Sequence, residues 1–269
     1  MEFEKYGSVN GMYRRSIKRR AAEGQVSLGM VVNIPSPFMA ELAAVAGCDF
    51  IRIDMEHNVF NPETVQNIIR AADACGLATY ARLDQYDLIT PLLDFGIEGF
   101  MFPHVRSAEQ AKLLVEKVKY APVGRRGFAD AGRAQRFGTM PFSDYIAEAA
   151  SDVFLQVQIE DQEGIANMEE IIATPGLDYI CSGRGDIAQA IGMLGQGSSK
   201  EVGEIEDRII ETASKQGLRC QISVGSPEQL RDYYRRGVRT FTIGDDRNFL
   251  LNGVKERVAK LRRAAEELE

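Results

Sequence analysis

The chain has 269 residues, 45% hydrophobic and 26% charged, with a formal net charge of −7 at neutral pH. That length suits one large α/β domain or two small ones, with ample apolar content for a core. The negative balance argues against broad nucleic-acid binding, because no basic field exists to displace counterions, and no apolar run approaches the ~20 residues that a membrane helix needs.

The opening residues, Met1 to Lys5, lack the apolar core of a secretory signal. Cys48, Cys75, Cys181 and Cys220 are widely spaced and form no Cys-x-x-Cys pair. That spacing predicts free thiols in a reducing cytoplasm rather than disulfides or a zinc site.

Taken in chain order, a strand–helix unit recurs throughout. Strands are predicted over 25–34, 49–56, 78–84, 99–105, 153–160, 177–183, 219–224 and 239–243. Helical patterns over 37–46, 62–74, 86–95, 107–120, 162–173, 186–191, 227–236 and 248–267 follow them in turn, and a further helix over 201–216 precedes the seventh strand. Three helices open with a capping residue followed by proline, at Ser36-Pro37, Asn61-Pro62 and Ser226-Pro227. Several end near a glycine, as at Gly76 and Gly237.

Eight β-then-α units are the count of a (β/α)8 barrel, so a single-domain α/β TIM barrel over 1–269 is expected. A doubly wound sheet is the alternative, but no Gly-x-Gly-x-x-Gly follows the first strand. Residues 121–150 read as a long loop insertion, rich in arginine and glycine. It is expected over the barrel rim, with Arg126 in substrate binding or a subunit contact. Residues 192–202 read as a mobile Gly/Ser-rich connection, and 247–269 as a C-terminal helix.

In such barrels the chemistry lies where the strands end. The second strand, Ile51-Arg52-Ile53-Asp54-Met55-Glu56-His57, places Arg52, Asp54 and Glu56 on one face. Apolar segments on both sides make it a central strand whose charges face an enclosed space, and buried charges must be paired or bind a metal. The third strand delivers Arg82, the fourth His104, and the fifth a row of Gln156, Gln158 and Glu160. The sixth ends in Ser182-Gly183-Arg184-Gly185-Asp186, a glycine-rich turn with its acid at a helix start.

Each has an ordinary reading: Asp186 as an N-cap, Arg82 paired with Asp84 or Asp87, Glu160 as a solvated cap, His104 as packing. The constellation at one rim carries more weight than any member. Its carboxylates suit a hard divalent cation such as Mg2+ or Mn2+ and leave coordination sites for water and substrate. No lysine falls at a strand end, so a Schiff-base aldolase is not expected.

Four pieces in order resemble the HpcH/HpaI aldolase/citrate lyase family, the metal-dependent pyruvate aldolases of the phosphoenolpyruvate-utilising barrels. They are Asp54-Met55-Glu56-His57, Ala81-Arg82, Val157-Gln158-Ile159-Glu160 and Gly183-Arg184-Gly185-Asp186, with support from Pro103-His104-Val105 and from Gly124-Arg125-Arg126-Gly127. The resemblance implies a divalent metal (Mg2+, Mn2+ or Co2+) on Glu160 and Asp186. It implies Arg82 on the keto-acid oxygen, His57 as acid/base oriented by Asp54, Gln158 beside the metal, and the backbone amides of Gly185 and Asp186 on the substrate carboxylate. It also implies a homo-oligomer, a hexamer or trimer.

The family usually has Gly-Pro-x-Asp-Leu-Ser where this chain has Gly183-Arg184-Gly185-Asp186-Ile187-Ala188. Arg184 therefore adds a cation that serves either an additional substrate carboxylate or phosphate, or a salt bridge. The expected function is a lyase that cleaves a 4-hydroxy-2-oxo acid to pyruvate and an aldehyde. The alternative is a biosynthetic carbon–carbon-bond-forming synthase that uses a keto-acid enolate.

Overall fold

A computed structural model describes residues 16–268; the opening residues 1–5 lie outside the described residues. The eight strands are β1 (Ser27–Val32), β2 (Phe50–Asp54), β3 (Ala78–Arg82), β4 (Gly99–Phe102), β5 (Phe154–Ile159), β6 (Tyr179–Ser182), β7 (Arg219–Ser223) and β8 (Thr240–Asp245). All pair in parallel with their sequence neighbours, and β8 closes onto β1. The expected (β/α)8 barrel is the fold.

Alternation along the strands builds two cores. Ile51 and Ile53 of β2, Leu155, Val157 and Ile159 of β5, and Phe241 of β8 face outward into one apolar shell under the helices. Phe50, Tyr80, Met101, Phe154, Tyr179 and Cys181 face inward and cluster with Ile17. The lower part of this inner column is aromatic: Tyr80 meets Phe50 at 5.7 Å and Phe154 at 5.2 Å, and Phe154 meets Tyr179 at 5.4 Å. Higher up, the inward positions turn polar, through Arg52, Gln156 and Gln221 to Asp54, Arg82, Gln158 and Glu160. The barrel is thus a plugged cylinder with a polar mouth, as its alternating sequence requires.

Twelve α-helices occur among the described residues: α1 (Ile17–Ala22), α2 (Phe38–Val45), α3 (Pro62–Ala74), α4 (Ile89–Phe95), α5 (Ala108–Val118), α6 (Phe142–Asp152), α7 (Gln162–Ala166), α8 (Met168–Ile172), α9 (Arg184–Ala190), α10 (Lys200–Lys215), α11 (Pro227–Arg235) and α12 (Asp246–Glu266). The signal for α3 was complete. Asn61 accepts from the Glu63 amide at 2.8 Å, Pro62 takes the first position, and Val65, Ile68, Ile69 and Ala72 form the buried stripe. The helix expected over 162–173 breaks at Asn167 into α7 and α8.

Two helices went unread. In α1, Ser16 caps the helix and Ile17 plugs the barrel base, its amide donating to Glu98 Oε1 at 2.8 Å. α6 occupies the end of the segment expected to be a loop over the rim.

That segment also lies at the opposite end. Arg126, its side chain 1% exposed, donates to Asp94 at 2.7 Å and to the Tyr145 hydroxyl at 3.0 Å, and stacks on Tyr120. Arg133 reaches Asp73 at 2.6 Å and the Phe95 carbonyl at 3.0 Å. Asp73, Asp94 and Phe95 close α3 and α4, which end where the strands begin. These cations serve helix C-termini, where orphan carbonyls and the dipole attract them. Arginine and glycine content could not tell one barrel end from the other.

Residues 192–202 are anchored by Arg184 Nε, which donates to the Gly197 carbonyl at 2.8 Å. α12 leaves the barrel after Asp246, whose carboxylate accepts from the Asn33 and Ile34 amides and ties β8 to β1. Beyond it, residues 247–268 are exposed.

Candidate active site

The strand ends converge on one cavity of about 220 Å³, lined by Arg52, Arg82, Gln158, Gly183, Arg184 and Asp186 among others. Arg82 is its most firmly held cation. Its Nε and Nη2 donate to Asp54 Oδ1 and Oδ2 at 3.1 and 2.6 Å, a bidentate fork, and Nη1 meets Glu56 Oε2 at 3.1 Å. Asp84 and Asp87 are not its partners. Burial alone would raise the Asp54 pKa, but the Arg82 hydrogen bond and charge more than offset it and hold it below the usual range. Burial would likewise lower Arg82, and Asp54, Glu56 and Glu160 together raise it. The pair stays ionised, with its geometry fixed from two adjacent strands.

Asp54 therefore does a different job from the one expected. Its Oδ1 accepts from the Glu56 amide at 3.3 Å and the His57 amide at 3.5 Å, so it shapes the turn after β2. The imidazole of His57 lies against Glu56 instead, Nε2 to Oε2 at 3.6 Å, and is 56% exposed. Both oxygens of Asp54 were already taken by the buried guanidinium, which outcompetes an exposed ring.

Glu160 is 1% exposed. Its Oε1 accepts from the His104 amide at 3.0 Å, and its Oε2 accepts a short hydrogen bond from Gln158 Nε2. Burial, with the nearby charges of Asp186 and Glu56, pushes its pKa up to about 8 despite the His104 amide and Arg82. Gly183 makes room for it: a Cβ there would collide with Glu160 Oε2 and Gln158 Nε2. Asp186 lies in the first turn of α9 and does not cap it; the cap position is Gly183, without a side-chain bond. The amides of Gly185 and Asp186 belong to that same first turn, where helical N–H groups have no partner within the helix.

Arg184 lines the cavity but is committed. Nη1 meets Glu206 Oε1 at 2.6 Å and Nε binds the Gly197 carbonyl, while the Glu206 side chain is 2% exposed. Of the two readings of Arg184, the salt bridge is the observed one.

Two residues were undervalued in the sequence. Glu56 is the hub of the rim, touching Arg82, His57 and His104, the last at 3.3 Å between Nε2 and Oε1. Its place in the alternating row of β2 was the available signal. His104 bridges Glu56 and Glu160, with Nδ1 3.4 Å from Glu160 Oε1, and its backbone adopts φ 52°. A left-handed histidine is uncommon outside sites that over-determine it. No sequence signal marked that conformation. Among the described residues no lysine lines the cavity; Lys18 and Lys119 pair with Asp178 at the base.

Fold and rim together define a barrel enzyme of the carbon–carbon lyase class. The profile of the HpcH/HpaI aldolase/citrate lyase family matches residues 27–252, and the chain belongs to that family. It is 32% identical to the 5-keto-4-deoxy-D-glucarate aldolase of Klebsiella pneumoniae over 88% of this chain and 93% of that protein. Among solved structures it resembles the citrate synthase SbnG (28% identity, TM-score 0.86, 94% of this chain and 100% of that one). It also resembles an HpcH/HpaI aldolase/citrate lyase family protein from Burkholderia cenocepacia J2315 (29% identity, TM-score 0.83, 91% and 98%).

Proposed function

We propose that this chain is a metal-dependent class II aldolase that reversibly cleaves a 4-hydroxy-2-oxo acid to pyruvate and an aldehyde. The observation that carries the reading is a locked Arg82 and Asp186 lining one cavity, with the buried Glu160 held by the cavity-lining Gln158. Hard-oxygen donors fit a divalent cation, which would offset the burial and the neighbouring negative charges that raise the Glu160 pKa. Among the described residues no group of three or more His, Cys, Asp or Glu stands ready for a metal. As the family resemblance implies, Glu160 and Asp186 would hold the ion and leave positions for water and substrate. When bound, Mg2+, Mn2+ or Co2+ would supply Lewis-acid polarisation of the 2-oxo group.

The chain's own residues do the rest. Arg82 donates to the 2-oxo oxygen and meets the negative charge that grows there as the C3–C4 bond breaks, already oriented by Asp54. His57, held beside Glu56, takes the 4-hydroxyl proton. The first-turn amides of Gly185 and Asp186 receive the carboxylate. Gln158 fixes the rotamer of Glu160. The aldolase name of the Klebsiella relative favours cleavage over synthesis.

A homo-oligomer, hexamer or trimer, belongs to the same proposal. Leu250, Val254, Val258 and Leu261 recur along the exposed α12 at helical spacing. The four free cysteines support a reducing, cytoplasmic setting, and no described helix is long and apolar enough to cross a membrane.

Proton exchange at the pyruvate methyl group, followed by NMR in D2O, tests the reading without the second substrate. Exchange is expected with Mg2+, Mn2+ or Co2+. It should be lost with EDTA and in Glu160→Gln and Asp186→Asn, with circular dichroism unchanged. Exchange that ignores EDTA would end the metal assignment.

A further inference from the structure

Glu206 of α10 is 2% exposed and gathers donors from three other elements. Its Oε2 accepts a short hydrogen bond from the Ser182 hydroxyl at the end of β6. Its Oε1 accepts another from Tyr233 of α11 and meets Arg184 Nη1, at the start of α9, at 2.6 Å. Ser182 and Arg184 stand on either side of Gly183, so one carboxylate grips both ends of the turn that leads to Asp186. Glu206 also borders the cavity, but both of its oxygens are engaged by these donors.

That turn has few other supports. Gly183 cannot carry a side chain, because a Cβ there would collide with Glu160 and Gln158, and glycine leaves the backbone its greatest freedom. Gly183 also occupies the cap position of α9 and gives the first turn no side-chain bond. With seven residues, α9 is too short to be stable by itself. The desolvation of a buried ion pair largely cancels its attraction, and an apolar pair of similar size would serve stability as well. What the pair adds is a fixed arrangement of the groups it joins. Arg184 Nε extends the grip to the Gly197 carbonyl at 2.8 Å.

We propose that Glu206 is a positioning residue, which clamps Ser182 and Arg184 and so fixes the turn that presents Asp186 to the divalent ion. This deepens the aldolase reading and rests on it for that ion. The clamp acts through the backbone: with Ser182 and Arg184 held, the freedom of Gly183 no longer reaches Asp186. Proline at the position of Arg184 would do the same work by another route. It presets φ at the first helical position, where the missing N–H has no partner within the helix.

Two readouts on the full chain test this without turnover. Amide hydrogen exchange of the metal-free protein, read by mass spectrometry over residues 183–191, follows the turn itself. There the Ile187 and Ile191 amides donate to the Gly183 and Ile187 carbonyls. Calorimetry with Mn2+ follows the ion. Glu206→Gln keeps the shape and removes the charge. It should speed exchange over 183–191 about tenfold, the loss expected for hydrogen bonds to a charged group, and leave β2 and β5 unchanged. Mn2+ affinity should fall about 10–100-fold, the usual effect of disturbing a ligand's support. The double variant Arg184→Pro/Glu206→Gln should recover both. Arg184→Gln breaks the same clamp from its half-buried end and takes the place of Glu206→Gln if that variant does not fold, as melting temperatures would show.

Unchanged exchange in either single variant overturns the clamp. Faster exchange with wild-type Mn2+ affinity overturns the positioning role and leaves Glu206 a structural residue. An affinity loss that proline does not recover, with exchange restored, overturns it too, because Glu206 would then act on the ligand by direct contact. Wild-type protein that takes up no Mn2+ sinks the metal-dependent reading instead, while faster exchange in Glu206→Gln would still support the hold on the turn.

Discussion

The two ends of this barrel are built from the same eight strands and solve opposite problems. At the base, charges are matched: Lys18 and Lys119 share Asp178, Arg19 meets Asp152, Arg126 meets Asp94 and Arg133 meets Asp73. Inside that ring, Phe50, Tyr80, Phe154 and Tyr179 fill the cylinder. At the mouth the buried carboxyl of Glu160 feels the charges of Asp186 and Glu56 beside an open cavity. Buried polar atoms without a hydrogen-bond partner occur at both ends, Gln158 Oε1 and His104 Nδ1 above and Arg126 Nε below, so the cavity and its gathered charges are what set the mouth apart. The base holds the fold; the mouth holds the candidate site.

The sharpest break of this contrast is at the mouth. His57→Ala should lower turnover by about 10²–10⁴-fold, the share of a positioned acid/base, with the melting temperature and metal affinity nearly unchanged because the ring is exposed. Steady-state kinetics beside metal titration would show it. Unchanged turnover would pass the role to His104, which stands between Glu56 and Glu160.

The base should answer in the opposite currency. Phe154 is 1% exposed and contacts both Tyr80 and Tyr179. Phe154→Ala should cost about 3–5 kcal/mol of stability, the usual loss for a truncated core aromatic. Activity per folded molecule should hold. Denaturant unfolding paired with activity at low temperature separates the two, and a large kinetic defect in fully folded protein would contradict the division of labour.

Gly183→Ala tests where the regions meet. The added methyl must displace Glu160 or Gln158. About 10–100-fold in metal affinity should be lost, typical for disturbed support of a ligand, along with about 1–3 kcal/mol of stability from overpacking. Metal-binding calorimetry and thermal melting read the two losses.

The most gradual effect is a slope. The folded chain keeps a proton on Glu160 up to about pH 8, whereas an ordinary glutamate releases it near 4.5. The folded state therefore binds more protons across that window, so this group's contribution to stability is full below about pH 4.5 and fades as pH rises toward 8. Metal-free protein should melt at progressively lower temperature across that range. Glu160→Gln should flatten that slope, and a divalent cation should restore stability at the alkaline end. An identical profile in Glu160→Gln would show that burial does not raise this carboxyl.

The sequence by itself determined the barrel. Seven of the eight strands stand inside the expected segments and β8 overruns its own by two residues, because a parallel strand buried on both faces leaves an unbroken apolar signature on its outward side. It also marked the rim, because Asp54, Arg82, Glu160 and Asp186 each close a strand or open the following helix. Missed were α1, too short to show a period, and α6, an amphipathic stretch read together with the arginine- and glycine-rich residues that precede it.

Only the tertiary structure decided which charge meets which. Asp54 holds Arg82 rather than the His57 ring, Arg184 goes to Glu206, Arg126 belongs to the base, and Arg52 reaches the Met101 sulfur. Period and turn chemistry are written in near neighbours along the chain. Ion pairing in a closed barrel is a competition among groups from different strands, settled by distance and burial, which a linear pattern does not contain.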